Sequence, residues 1–84
     1  MKKFNACDIY HICCRAGGAL FPDILDYVVI NMGATRSRES MNMIASILKY
    51  LRELDFIKVR YLPNNWSRVL TQTEIDQLEK FTGE

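Results

Sequence analysis

Long apolar runs are missing from this sequence. The run Val28–Ile30 is three residues long, whereas a helix that crosses a bilayer needs about 20 predominantly apolar residues. The N-terminus carries Lys2, Lys3 and Asp8 but lacks the apolar segment of a secretory signal. We therefore expect no membrane span and no signal peptide, and we expect the protein to be cytoplasmic.

Glycine and proline are also scarce, with 4 and 2 residues in a chain of 84. This excludes collagen-like and Pro/Gly-rich low-complexity sequences. A chain of this length forms one domain, here residues 1–84, and it buries only about 60–65% of the surface that the unfolded chain exposes. The sequence therefore predicts a single small globular domain with a thin margin of stability.

The three cysteines are an odd number and Cys13 adjoins Cys14, which argues against a secreted disulfide framework. Cys7, His11 and Cys14 would share one helical face, but a fourth zinc ligand and a CxxC pair are missing, and free cysteines also fill tight positions between helices. The lone His11 has no Ser or Asp partner at a suitable spacing, and no glycine-rich phosphate loop is present. We therefore predict no metal, no cofactor and no enzymatic activity.

Charge is nearly balanced, with 11 basic and 10 acidic residues, but it is unevenly distributed. Seven of the basic residues and only three of the acidic ones lie between Arg36 and Arg68, and the segment that follows is acidic. A small domain with its positive charge gathered in one part can present a surface that attracts anions. The charge pattern therefore keeps nucleic acid open as a partner.

Local signals predict four helices. Asn5 followed by Asp8 is typical of an N-cap with an acid in the first turn, and predicts a first helix over residues 5–16. Pro22 begins a second helix over 22–32, and Gly33 ends it. A third helix ends near Leu54, and its buried stripe is predicted to contain Met41, Ile44, Ile47, Leu48, Leu51 and Leu54. Its N-cap is left open among Thr35, Ser37 and Ser40.

The first helix carries apolar residues on both of its sides. Either the rest of the domain wraps it or it meets a second subunit. Because symmetric dimers are the commonest soluble oligomers and would supplement a small core, we expect a homodimer through helix 1, with Tyr10 and Cys14 on the outer side.

Residues 56–62 alternate between apolar and polar side chains, which predicts a half-buried strand. Residues 63–65 form a turn, and Trp66–Thr71 is predicted as the returning strand of a β-hairpin. Thr73 with Asp76 resembles a capping pair for a short fourth helix that ends near Phe81.

The order helix, helix, helix, hairpin, short helix resembles the winged helix-turn-helix domain, and the stretches Ile44–Val59 and Arg68–Thr71 carry this resemblance. It implies an α+β fold with a three-helix core, a two-stranded β-hairpin wing and a short C-terminal helix. It also implies a small bacterial, phage or plasmid transcriptional regulator that binds double-stranded DNA sequence-specifically. Two features depart from the family: Asp55 stands where a glycine is usual, and Gly33–Ser40 is longer than a tight turn.

The same resemblance implies that the third helix enters the major groove and that the wing contacts the DNA backbone or the minor groove. The candidate DNA-binding residues at the third helix are Arg36, Ser37, Arg38, Asn42, Ser46 and Lys49. Those of the wing are Arg60, Asn64, Asn65 and Arg68.

The alternative is a winged-helix adaptor that binds a protein partner through helix 1, Trp66 and the acidic tail, without binding DNA. The two hypotheses differ in where the positive charge lies. DNA binding requires that the basic residues share one face, namely Arg36, Arg38, Lys49, Arg60 and Arg68.

Overall fold

Helices dominate the chain. The computed structural model describes residues 4–15, 20–58, 61–63 and 69–83, and in these it contains α1 (Ala6–Arg15), α2 (Phe21–Met32), α3 (Arg38–Glu53) and α4 (Gln72–Lys80). Helix α1 contacts each of the other three helices, and α2 also contacts α3. Within the described ranges, no helix combines the length and the apolar character that crossing a membrane would require.

Side chains that cap the helices explain where α1, α3 and α4 begin. The Asn5 and Asp8 side chains each accept the other's backbone N–H at 3.0 Å, as predicted. Ser37 is the N-cap of α3, because its hydroxyl accepts the Ser40 N–H at 3.2 Å. The N-cap of the fourth helix is Thr71, two residues before the predicted cap, and its hydroxyl accepts the Glu74 N–H. Each cap satisfies a backbone donor that the first helical turn leaves without a partner.

Glycine and aspartate end α2 and α3 in the left-handed conformation. Gly33 follows α2 with φ 72°, and Asp55 lies just beyond α3 with φ 64°. Asp is among the few non-glycine residues that adopt this conformation regularly, since its short polar side chain can bond locally. The predicted ends of both helices are confirmed.

Helix α1 lies at the centre of the core. Six of its ten residues are buried, and Phe4, just before it, is also buried. Tyr10, which was predicted on the outer side, is 3% exposed and packs edge-on against Phe56 with ring centroids 5.6 Å apart. The rest of the chain therefore covers most of the apolar residues of α1. The homodimer through helix 1 stays a prediction, and exposed apolar surface on α1 no longer argues for it.

Helix α3 contributes the longest buried stripe. Ile44, Ile47, Leu48 and Leu51 are buried as predicted. Met41 and Leu54 were predicted in the same stripe but are 38% and 37% exposed, and Met43 is buried instead. The buried stripe is therefore rotated slightly around the helix axis from the predicted one. This rotation leaves Met41 and Leu54 on the exposed side of α3.

The predicted α+β winged fold is wrong. Where the structure describes the predicted hairpin, it contains no strand and no sheet: the only pairing there is an isolated antiparallel bridge between Ile57 and Pro63. The returning strand falls largely on residues outside the described ranges, and its described end, 69–71, is not a strand.

Backbone geometry at Lys58 and at residues 61–63 explains the error. The Lys58 N–H donates to the Leu62 carbonyl at 2.6 Å and the Tyr61 N–H donates to the Lys58 carbonyl at 2.9 Å, so the chain turns back within five residues. Tyr61 has φ 59°, which is incompatible with an extended strand. Pro63 has no N–H to continue a ladder beyond the bridge. The alternating sequence pattern therefore lies in a tight reversal of the chain and not in a β-strand.

The described tail after α4 folds back over the core. The Ala6 N–H donates to the Phe81 carbonyl at 2.8 Å, which joins the start of α1 to the end of α4. Two residues further on, Gly83 has φ 79° and lies directly against the backbone of Met43 in α3. The two described ends of the chain therefore meet on one side of the molecule.

Candidate nucleic-acid interface

The exposed side of α3 carries most of the described candidate residues. Arg38, Asn42, Ser46 and Lys49 are all exposed, and Ala45 and Arg52 are exposed among them. Positions 38, 42, 45, 49 and 52 recur at alternating steps of four and three, the spacing of one helical face. We call Arg38, Asn42, Ala45, Lys49 and Arg52 the α3 stripe.

Three cations cluster on the exposed side of α3, with two acids beside them. At about 100° per residue, Arg38, Lys49 and Arg52 fall within about 60° of one another around the helix axis. Glu39 and Glu53 fall beyond Asn42, toward Ser46, and Glu53 lines a surface depression together with Lys49 and Arg52. The α3 stripe therefore presents three cations, although the helix as a whole also contains two acids.

Small and uncharged side chains lie between the cations. Asn42, Ala45 and Ser46 occupy the middle of the exposed surface, with Arg38 toward the start of the helix and Lys49 and Arg52 toward its end. Short side chains allow the helix backbone to approach a partner closely, while the Asn42 amide offers both a donor and an acceptor. This arrangement can bind an extended polyanion at both ends and read hydrogen-bonding groups in the middle.

Ser37 was predicted to contact DNA, but its hydroxyl serves the helix. It accepts the Ser40 N–H and lies 3.4 Å from the Ser40 hydroxyl, which is itself buried. A contact from Ser37 to a ligand would therefore compete with the cap.

Arg36 is exposed but paired. Its guanidinium lies 2.7 Å from a carboxylate oxygen of Asp26 in α2, and both side chains are about half exposed, at 54% and 51%. Ion pairs at such exposed positions contribute little to stability, typically 0–1 kcal/mol. Asp26 nevertheless neutralises part of the positive charge that the sequence predicted at this end of α3.

The wing candidates Arg60, Asn64, Asn65 and Arg68, together with Trp66, lie outside the described residues. Of the five basic residues that DNA binding was expected to bring together, the structure describes three. Arg38 and Lys49 share the α3 stripe, and Arg36 is engaged with α2.

Ala45 and Arg52 were not among the predicted site residues. Both lie on the α3 stripe. Ala45 is four residues before Lys49 and Arg52 is three residues after it, so helical spacing alone would have identified them. They were missed because the contacts were carried over from the winged-helix resemblance, in which the N-terminal half of the helix dominates.

The cysteines belong to the interior. Cys7 and Cys13 are buried and Cys14 is half-buried, and all three are free thiols. Burial, and to a smaller extent the neighbouring Cys14, raise the pKa of Cys13 to about 12. Among the described residues, no group of three or more His, Cys, Asp and Glu side chains lies close enough together to hold a metal ion.

Comparison with known proteins adds no relative: no family model, no curated protein and no solved structure matches this chain.

Proposed function

We propose that this protein binds double-stranded DNA in the cytoplasm by placing α3 in the major groove. The observation that carries the proposal is the α3 stripe, which combines three cations with a central amide and a small side chain on one exposed helical face. The proposal does not depend on a β-wing.

Dimensions support this geometry. A helix with its side chains is about 10–12 Å across, and the major groove of B-DNA is about 12 Å wide. The stripe from Arg38 to Arg52 extends over about 21 Å at 1.5 Å per residue. Cations near both ends of such a stripe can contact phosphates while its middle faces the bases.

The residues divide into two roles. Arg38, Lys49 and Arg52 neutralise phosphates and supply affinity that does not depend on sequence. Asn42 supplies specificity, because an Asn amide can pair bidentately with adenine in the major groove.

Fluorescence anisotropy with labelled random duplex DNA at several salt concentrations tests the phosphate role. Each neutralised phosphate contributes about −0.9 to the slope of log K against log salt, so three contacts predict a slope near −3 for each chain. Lys49→Ala should flatten the slope by about one unit. Lys58→Ala is the matched control, since Lys58 is exposed but lies beyond the end of α3.

Asn42→Ala tests the specificity role on duplexes selected from a random pool by the wild type. We expect a loss of about 1–3 kcal/mol and a relaxed preference at one base pair, with the salt slope unchanged. Salt-sensitive binding that Lys49→Ala and Lys58→Ala weaken equally, or no binding to any duplex at low salt, would contradict the proposal.

Protein binding is the second candidate, and α2 favours it. In α2, Ile30 is 75% exposed, and Leu20, the N-cap residue of this helix, is 59% exposed. Contiguous exposed apolar surface is typical of protein contacts, whereas single exposed apolar side chains are ordinary, so this candidate requires a partner that covers both ends of α2. Recovery of a protein partner by the wild type but not by Ile30→Asp, in a chain that does not bind DNA, would support this candidate.

A further inference from the structure

A second candidate site lies away from the α3 stripe, between the end of α3 and α4. It is an open cavity of about 560 Å³, and its lining residues are Tyr50, Thr73, Asp76, Gln77, Lys80 and Phe81. Cavities of about 300–1,000 Å³ are the usual size of small-molecule sites. No residue of the α3 stripe lines it, so DNA binding by that stripe leaves this cavity unexplained.

One wall of the cavity is a pair of stacked aromatic rings. Tyr50 and Phe81 lie parallel, with their ring centroids 4.0 Å apart and their planes 5° from each other. Gln77 Nε2 donates to the Tyr50 hydroxyl at 3.1 Å, which fixes the orientation of the tyrosine. Each ring covers one face of the other, so a planar ring can stack only on an outer face of the pair.

The other wall is one face of α4. Thr73, Asp76, Gln77 and Lys80 follow one another at steps of three, one and three, so that all four line the cavity. The Asp76 carboxylate accepts one hydrogen bond from Gln72 Nε2 at 2.9 Å, and a carboxylate has about four acceptor sites, so it can accept further donors. Lys80 lies one turn beyond Asp76 and adds a cation at the C-terminal end of the helix.

These groups define the chemistry of a ligand. An outer face of the stacked pair favours a planar aromatic ring, and Asp76 favours adjacent N–H donors at the edge of that ring. Lys80, whose long side chain can extend away from Asp76, favours an anionic group at the opposite end of the ligand. The base of a guanine nucleotide carries two adjacent N–H donors on its Watson–Crick edge, and its phosphate is the anion. We propose that this cavity binds guanosine monophosphate, with the base on an outer face of the Tyr50–Phe81 pair, its donors on Asp76 and its phosphate on Lys80.

An NMR titration of the isotope-labelled chain with guanosine monophosphate tests the site. We expect saturable shifts at the cavity residues, and weaker binding of two analogues. Inosine monophosphate lacks the exocyclic amino donor, and guanosine lacks the phosphate. Each missing charge-assisted hydrogen bond should weaken binding about tenfold or more.

Three variants assign the contacts. Asp76→Asn should abolish the preference for guanosine monophosphate over inosine monophosphate, and Lys80→Gln should abolish the preference over guanosine. Glu79→Gln is the matched control, because Glu79 is exposed on α4 but does not line the cavity. All three positions are exposed, so circular dichroism should show the helical content of the wild type.

Three outcomes would overturn the proposal: no saturable shifts, equal affinity for all three compounds, or shifts that map to the α3 stripe instead of the cavity. Because the titration contains no DNA, its result is independent of whether α3 binds a duplex.

Discussion

The α-carbon of Gly83 lies so close to the backbone of Met43 that a Cβ atom built on it would come within 2.5 Å of the Met43 carbonyl oxygen. Gly83 also has φ 79°, a conformation that L-residues with a side chain rarely adopt. Two independent constraints therefore require glycine at this position, and together they allow the tail to lie flat on α3.

Gly83→Ala should destabilise the protein more than Gly33→Ala. Gly33 has a similar φ of 72°, but a Cβ there would meet nothing within 4 Å, so alanine costs only the left-handed conformation, about 1–2 kcal/mol. At Gly83 alanine has the same conformational cost, and in addition its Cβ clashes with the Met43 backbone and moves the tail away from α3. Urea unfolding of both variants measures the difference, and equal losses would mean that the close approach is not maintained in solution.

Thr71→Ala should lower the free energy of unfolding by about 1 kcal/mol, because it removes the hydroxyl that caps α4. Thr73→Ala is the matched control, since Thr73 was the predicted cap but lies within the helix. Thr71→Ser should retain the stability of the wild type. A larger loss at Thr73 than at Thr71, measured by thermal unfolding, would place the start of the helix at the later residue.

Asp26→Ala should strengthen DNA binding. The substitution removes the carboxylate that pairs with Arg36, so the arginine becomes available for a phosphate, and the salt slope should steepen by about 0.9. Stability should change by less than about 1 kcal/mol, because both side chains are half exposed. The double variant Asp26→Ala with Arg36→Ala should lose this gain; if it keeps the gain, Arg36 is not the new contact.

The free energy of unfolding should decline at high pH because the Cys13 thiol is buried. Burial is the main cause that raises the pKa of its thiol from 9.0 to about 12. Above pH 9 the unfolded chain therefore releases a proton that the folded chain retains, so the free energy of unfolding falls as the pH rises from about 9 to 12. Below pH 9 this thiol should contribute no pH dependence.

Urea unfolding of the wild type and of Cys13→Ala, each between neutral pH and pH 10.5, isolates this effect. The variant should show the shallower decline above pH 9, whatever its absolute stability. Parallel curves for the two proteins would indicate that Cys13 does not titrate on unfolding.

The sequence was informative where the signal was local. Asn5 with Asp8, Pro22 and Gly33 each act on the backbone within one helical turn, so the limits of α1 and α2 were predicted to within one residue. The start of α3 was left open because Thr35, Ser37 and Ser40 have similar capping side chains. In the structure the Ser37 hydroxyl accepts the Ser40 N–H, and Ser40 itself is buried, which is a tertiary property.

The hairpin was predicted wrongly because the alternation of residues 56–62 reports burial, not chain direction. Ile57 is buried as predicted, but so is its neighbour Phe56, which a strand would place on the opposite face. The chain also reverses at Tyr61, and no local pattern indicates its positive φ. Strand pairing also depends on a partner segment, and sequence alone could not establish that Trp66–Thr71 would pair.

The candidate interface was predictable in part. Arg38, Asn42, Ser46 and Lys49 were placed on an exposed face by the same periodicity that identified the core of α3. The pairing of Arg36 with Asp26 could not be predicted, because it joins residues of different helices across a connection whose path the sequence does not determine.

The hydrogen bond from Ala6 to Phe81 means that the two described ends of the chain are neighbours in space. A short linker can join such ends without disturbing the core, and new ends can be opened in an exposed connection. The segment between α2 and α3, where Thr35 and Arg36 are exposed, offers such an opening. The fold should therefore tolerate circular permutation, with α3 becoming the first helix of the rearranged chain.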